Sequence, residues 1–191
     1  PPANANLNSI ADRPDVLALS FAVTYWDQLG WRDRFATPAY TQRQWDYAHA
    51  GGRDQVWTPQ MVFNGSPDTI VGSREPQFRD KLAHASGVSG GPTIADTRDE
   101  IAIGAARTTA PATVWLVRYD PRTQQVAIRA GENSGRTLPH RNIVRQLVRL
   151  GRWTGAAEHL DLPASPDAML ATAILVQHDN GGRIIAARRI G

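Results

Sequence analysis

The feature that most constrains the fold is an apolar run, VLALSFAVTY, that extends from Val16 to Tyr25. An amphipathic helix or a half-buried strand would carry polar residues at regular intervals, whereas this run contains only Ser20 and Thr24. Its length and its β-branched and aromatic residues are typical of a strand covered on both faces. Such strands belong to parallel or mixed sheets flanked by helices, so the run predicts an α/β domain.

Three helices are predicted around this strand. Proline is tolerated in the first turn of a helix, where the N–H groups have no partner, and glycine is favoured just after the last turn. Phe78, Leu82 and Ala85 recur at helical spacing and mark the inner side of the third helix. The predicted helices are Asn4 to Ala11, after Pro1-Pro2; Pro38 to about Ala50, before Gly51-Gly52; and Glu75 to Ser86.

A second strand is predicted from Val56 to Gly65, with Asn64-Gly65 as a turn and Asp68 to Gly72 as the returning partner. Small residues and a proline then interrupt every periodic pattern between Gly87 and Pro92. We therefore expect two domains, residues 1–88 and residues 92–191.

The second domain is predicted to be an all-β antiparallel sandwich, because short strands alternate with turn signals. Asp120-Pro121-Arg122 and Asp179 to Gly182 are expected to be the turns of two hairpins. Arg141 to Leu150 has apolar residues at helical spacing but lies between strands, so both helix and strand stay open. The predicted strands are Ile94 to Ala105, Ala112 to Asp120, Gln125 to Ala130, Ala156 to Leu162, Leu170 to His178 and Arg183 to Ile190.

Composition argues against several kinds of site. The net charge of +3 is too small for a nucleic-acid footprint, and no cysteine is available for a disulfide or a thiolate metal site. The five histidines show no i, i+4 pairing, so we expect no metal and no cofactor. Gly87 to Gly91 formally matches a nucleophile elbow but lacks the strand before it, and Gly131 to Arg136 lacks the ending of a phosphate loop.

Several motifs together resemble one bacterial family. They are Pro1-Pro2-Ala3, Tyr25-Trp26-Asp27-Gln28-Leu29-Gly30-Trp31, Thr58-Pro59-Gln60-Met61, Asn64-Gly65 and Gly131-Glu132-Asn133-Ser134-Gly135. This pattern is similar to the exported thioredoxin-like family known as domain of unknown function 1223. The resemblance implies a thioredoxin-like first domain, a periplasmic or secreted location although the chain carries no signal peptide, and a protein or peptide partner with a thiol or disulfide.

The resemblance also implies a site. Family members carry a Cys-X-X-Cys directly before Pro-Pro-Ala, where a helix N-terminus stabilises a thiolate. In this chain Pro1 and Pro2 border that position, and Thr58-Pro59 is similar to the cis-proline that faces the motif. We expect a cis bond there, and Trp26, Asp27 and Trp57 are further candidates for the substrate groove, although aromatic residues that cap the core explain the two tryptophans equally well.

Two departures from the family pattern concern the same site. The family strand ends His-Val-Asp-Tyr-Trp, whereas this chain has Ala22 and Thr24 in place of the histidine and the aspartate. In addition, the first strand of a thioredoxin-like sheet is not in the chain, and its absence would leave buried backbone groups unpaired. We therefore expect a strand and the dithiol motif upstream of Pro1.

Two functional hypotheses follow. The first is an extracytoplasmic thiol-disulfide oxidoreductase in the full-length form, with no catalytic residue inside these 191 residues. The second is a non-catalytic binding or scaffold protein that keeps the groove without the thiols. The residues encoded just before Pro1 distinguish the two.

Overall fold

The helices of the chain lie in its first half, close to their predicted positions. The computed structural model describes residues 2–24, 27, 33–66, 74–85, 87–129 and 134–191. The best-defined helix start is at Thr37, whose hydroxyl accepts a hydrogen bond from the Tyr40 N–H. The helices are α1 (Pro2–Ile10), α2 (Pro38–Ala50), which ends at Gly51 as predicted, and α3 (Glu75–His84).

All nine strands of the described residues lie in the second half of the chain, and they form antiparallel sheets. A four-stranded sheet has the order β6-β3-β8-β9, a three-stranded sheet has the order β1-β2-β7, and β4 pairs with β5. The strands are β1 (Ile94–Asp96), β2 (Glu100–Ile103), β3 (Ala112–Asp120), β4 (Gln124–Ala127), β5 (Thr137–His140), β6 (Ile143–Trp153), β7 (Glu158–Asp161), β8 (Ala171–His178) and β9 (Ile184–Ile190).

The two central strands of the four-stranded sheet, β3 and β8, are buried on both faces. Along β3, Val114 and Leu116 contribute to one apolar cluster, together with Ile101 of β2. Val117, which points to the other face, packs in a second cluster with Tyr40 of α2. One face is therefore covered by the three-stranded sheet and the other by α2 and residues 17–21.

This second cluster joins the two halves of the chain, because it contains residues from both sides of the Gly87–Pro92 boundary. The predicted division into residues 1–88 and 92–191 stays a prediction. The apolar cluster that contains Tyr40 and Val117 nevertheless takes residues from both of these ranges.

The run from Val16 to Tyr25 is not a regular strand, contrary to the prediction. In its described part, Ser20 alone forms a bridge, parallel to Ile143 of β6, and Thr24 lies in a 3-10 turn. The run is apolar because Leu17, Leu19 and Phe21 pack against the four-stranded sheet. Burial thus explains the composition, whereas regular strand pairing is limited to one residue.

The predicted strand from Val56 to Gly65 is also largely irregular. Its turn is confirmed, since Asn64 and Gly65 have φ angles of 51° and 68°. The predicted returning partner, Asp68 to Gly72, lies outside the described residues.

The single strand predicted from Ile94 to Ala105 is in fact two strands, β1 and β2, which pair with each other.

The hairpin predicted at Asp120-Pro121-Arg122 is wrong, because β4 pairs with β5 rather than with β3. The buried Asp120 carboxylate accepts hydrogen bonds from the backbone N–H and the guanidinium of Arg122, so the chain turns away from β3. The strand β5 was not predicted.

Arg141 to Leu150, which was open between helix and strand, belongs mainly to the strand β6. Its pairing with β3 shifts register twice, leaving Arg145 and Leu150 as extra residues between paired positions. These two β-bulges interrupt the alternation of period two and produce the apparent helical spacing of the apolar residues.

Candidate functional site

A large cleft lies between the first half of the chain and the strands of the second half. Its volume is about 1220 Å³, and it runs between α1, residues 13–23, residues 58–65 and α3. The apolar side chains of Phe78 and Leu82 close it on the side of α3, and His140 lies on its wall at the end of β5. A cleft of this size, with apolar walls and a few polar groups, is the default candidate for a binding site.

The structure brings together some of the residues that the sequence singled out. Thr58 and Pro59 line the cleft, and their peptide bond is cis, as predicted. Ala3 and Asn4, in the first turn of α1, line the same cleft. The resemblance predicted that this helix start and the Thr58-Pro59 bond would face one site.

Other predicted site residues lie elsewhere. Trp57 is 43% exposed, has the Arg53 guanidinium 5.9 Å from its ring centroid, and does not line the cleft. Pro2 and Asp27 are exposed and also lie off the cleft wall. Pro1 and Trp26 lie outside the described residues.

Helix α1 is fastened to β5 beside the cleft. The Asn4 side-chain amide and His140 Nε2 are 2.7 Å apart, and Asn8 Nδ2 donates to the Pro139 carbonyl at 3.0 Å. Burial lowers the pKa of His140, and Asp33 opposes that effect only in part. A neutral His140 can accept the amide hydrogen of Asn4, so this contact favours the uncharged imidazole.

In the middle of the segment from Val16 to Val23, the backbone hydrogen bonds go to the start of β6 only. The Ser20 N–H donates to the Asn142 carbonyl at 2.9 Å, and the Ser20 carbonyl accepts from the Val144 N–H at 2.8 Å. The Ala18 carbonyl also accepts from the Asn142 side chain. Ala18 and Ser20 therefore direct backbone groups toward the start of β6.

In an extended chain, the next residue directs its N–H and C=O in the opposite direction. Leu17, Leu19 and Phe21 alternate with Ala18 and Ser20 and also line the cleft. Their backbone N–H and C=O groups have no hydrogen-bond partner among the described residues. An unpaired backbone edge next to a deep cleft is the geometry that accepts another strand.

Three side chains on the cleft wall carry a polar atom that is buried and has no hydrogen-bond partner within the described part of the chain. These atoms are Asn8 Oδ1, Gln60 Nε2 and Arg141 Nε. Buried polar atoms in native proteins are nearly always satisfied, so such a group next to a cleft indicates a missing partner. Sequence reasoning did not identify these residues, because nothing local distinguishes them from other polar residues.

The family's His and Asp positions are occupied here by groups that do not titrate. The Thr24 N–H donates to the Thr41 hydroxyl at 2.9 Å, and the two hydroxyls lie 2.8 Å apart. Ala22 packs beside the Phe35 cluster. This end of the segment is therefore held to α2 by a neutral hydrogen-bonded pair and has no acid or base of its own.

The family model described as a protein of unknown function, DUF1223, matches residues 1–177. The chain belongs to the DUF1223 family. A crystal structure of a protein from Agrobacterium tumefaciens is similar to this DUF1223 chain over 100% of its length and 86% of that protein's chain. The sequence identity is 28% and the TM-score is 0.74. No protein with a curated description matches.

No three histidine or carboxylate side chains within the described residues come together in a way that could hold a metal ion. Equally, none of the described helices of this DUF1223 chain has the length and apolar character needed to cross a membrane.

Proposed function

We propose that this DUF1223 protein is thioredoxin-like, with a central strand supplied by residues that precede Pro1 and lie in the cleft. The one-sided pairing of residues 17–21 carries this proposal. A strand in the cleft would hydrogen-bond to Leu17, Leu19 and Phe21, and would bring polar backbone atoms near Asn8 and Gln60. Each buried polar group that gains a partner in this way avoids a cost of about 1 to 3 kcal/mol.

The chain order supports this arrangement. A strand in the cleft that leads into α1 would end close to Ala3 and Asn4, which line the cleft with Thr58 and Pro59. Cysteines located just before Pro1 would then stand at the N-terminus of α1, where unpaired N–H groups and the helix dipole stabilise a thiolate. The residues after α1 would continue as the extended segment that flanks the new strand.

The reaction we propose for this full-length protein is thiol-disulfide exchange with an exported polypeptide, in the periplasm or outside the cell. The upstream thiolate attacks one sulfur of the partner's disulfide, a mixed disulfide forms, and the partner's other sulfur leaves as a thiolate. The second cysteine of the motif then displaces the partner, which is released reduced while the dithiol becomes a disulfide. The backbone at Thr58-Pro59 would pair with the partner chain during these steps.

The experiment compares the protein made with its natural upstream residues with residues 1–191 alone. We expect the amides of Leu17, Leu19 and Phe21 to exchange with solvent much more slowly in the longer protein. Equal exchange in the two proteins would overturn the strand proposal. Reduction of insulin disulfides by the longer protein tests the redox activity separately, and absence of turnover despite slowed exchange would overturn only that activity.

The second candidate is a non-catalytic protein that binds an exported polypeptide in the same region. The Thr24–Thr41 pair favours it, because the family's titratable residues have been replaced by a neutral contact. This candidate predicts that the codons before Pro1 encode fewer than two cysteines in the motif. A complete Cys-X-X-Cys there, together with insulin reduction, would exclude it.

A further inference from the structure

A second, smaller pocket lies where β3 ends and meets β6. Its volume is about 420 Å³. Three of its lining side chains are arginines and only one is acidic. The lining residues are Arg34, Phe35, Asp120, Arg122, Gln124 and Arg145.

The single carboxylate of this pocket is already fully engaged. Asp120 Oδ1 accepts from the N–H and the Nε of Arg122 at 3.0 and 2.8 Å, and Oδ2 accepts from Arg122 and from Gln124 Nε2 at 2.8 and 2.9 Å. Asp120 and Arg122 therefore neutralise each other. The positive charges of Arg34 and Arg145 have no carboxylate in this pocket to neutralise them.

Those two arginines share one aromatic ring. The guanidinium carbons of Arg34 and Arg145 lie 4.5 and 5.0 Å from the ring centroid of Phe35. Phe35 is buried and packs with Val126 and Ile143, so the ring is a fixed platform. Neither guanidinium forms an ion pair or a hydrogen bond within the described part of the chain.

The backbone of β6 contributes to this arrangement. Arg145 is the extra residue of a β-bulge, since Val144 pairs with Tyr119 and Gln146 pairs with Arg118. A bulge changes the direction of a side chain relative to a regular strand and is common beside functional sites. The bulge therefore gives Arg145 an orientation that regular pairing with β3 would not.

We propose that this pocket binds a phosphate group, either as the free ion or as a phosphate ester. Two guanidinium groups without a carboxylate partner leave positive charge at this pocket, which a doubly charged oxyanion would neutralise. The planar fork of arginine matches the oxygens of a tetrahedral anion and makes short, charge-assisted hydrogen bonds to them. The site is separate from the cleft and does not depend on the function proposed for it.

The test is a titration of the 191-residue protein with inorganic phosphate by calorimetry, with sodium chloride at matched ionic strength as the ion control. We expect saturable binding of phosphate that chloride does not reproduce. Arg34→Gln and Arg145→Gln should each weaken the affinity about tenfold, because each removes charge-assisted hydrogen bonds. The matched control is Arg149→Gln, an exposed arginine of β6 outside the pocket, which should leave the affinity unchanged.

A phosphoserine peptide, titrated in parallel, distinguishes the two sources of the anion. Tighter binding of the peptide than of inorganic phosphate assigns the site to a phosphate ester, and the reverse assigns it to the free ion. The proposal is overturned if the three variants bind phosphate equally. It is also overturned if phosphate binds no better than chloride, in which case the pocket attracts an adventitious ion only.

Discussion

Asp120 is a carboxylate of which the structure leaves 1% exposed, and its hydrogen bonds explain why it can be charged there. The Arg122 side chain and backbone, together with Gln124, hold the pKa of this carboxyl below its usual range, although burial opposes them. These same contacts end β3 and turn the chain toward β4. One residue thus stabilises a turn and neutralises one arginine of the smaller pocket.

Replacing Asp120 by asparagine should lower the free energy of unfolding by about 1.5 to 3 kcal/mol, because hydrogen bonds to a charged acceptor are lost in a buried position. Urea denaturation at neutral pH measures this change. The control is Asp12→Asn, whose ion pair with Arg141 involves an aspartate side chain that is 79% exposed. We expect little change from that control. An equal effect of the two substitutions would contradict the role given to burial.

His140 should make stability fall as pH drops below the ordinary histidine pKa of about 6.5. Its pKa is lowered in the folded protein, so the unfolded chain binds a proton first as pH falls. The stabilisation from neutral His140 is therefore complete above the unfolded pKa and is lost as pH falls toward the folded one. As pH falls, we expect the free energy of unfolding to decrease less in the His140→Gln variant than in the unaltered protein. Parallel pH profiles for the two proteins would show that His140 is not the group responsible.

At the scale of elements, the turn between β8 and β9 packs against α2, which belongs to the first half of the chain. Asn180 and Gly181 have φ angles of 56° and 73°, as the predicted hairpin requires. A side chain added at Gly181 would approach the backbone of Asp46 in α2 to 2.4 Å. The turn therefore packs so closely on α2 that only glycine fits.

Gly181→Ala should lower the free energy of unfolding by about 3 kcal/mol, through the cost of a left-handed conformation and the displacement of α2. Gly135→Ala is the matched control, since Gly135 has a φ angle of 81° but nothing within 4 Å of an added Cβ. It should cost only about 1 kcal/mol. Thermal or urea unfolding of both variants gives the difference. If the two variants are equally stable, the close approach to α2 has no energetic consequence.

At the scale of the whole molecule, Tyr40 is the clearest link between the two halves. It is 3% exposed, belongs to α2, and packs with Val117, Val144 and Leu175 of the four-stranded sheet. The apolar cluster is thus completed by a helix from the far side of the Gly87–Pro92 boundary. We expect the two halves to unfold together.

Tyr40→Ala should lower the free energy of unfolding by about 3 to 5 kcal/mol and speed amide exchange in both α2 and β3. Tyr40→Phe keeps the ring in place and should cost much less. Hydrogen exchange resolved by residue checks both variants. Faster exchange confined to α2 would instead indicate that residues 1–88 and 92–191 have independent cores.

Strong local signals made part of this fold predictable. Proline at the start and glycine at the end delimit α2, and the turn residues Asn180 and Gly181 locate the β8–β9 hairpin. The bulges of β6 and the pairing of β4 with β5 have no such signal, because they depend on which strand lies alongside. The cis bond at Thr58-Pro59 was expected only through the family resemblance.

The sequence by itself determined where helices begin and end, which segments are buried, and the absence of any thiol within these 191 residues. Those properties depend on the conformational preferences and the polarity of residues close together in the chain. Only the tertiary structure decided that residues 17–21 pair on one side, that the cleft has unpaired polar atoms on its wall, and that Arg34 and Arg145 both lie against Phe35. These features join segments far apart in the chain, and their energies arise only when packing brings those segments into contact.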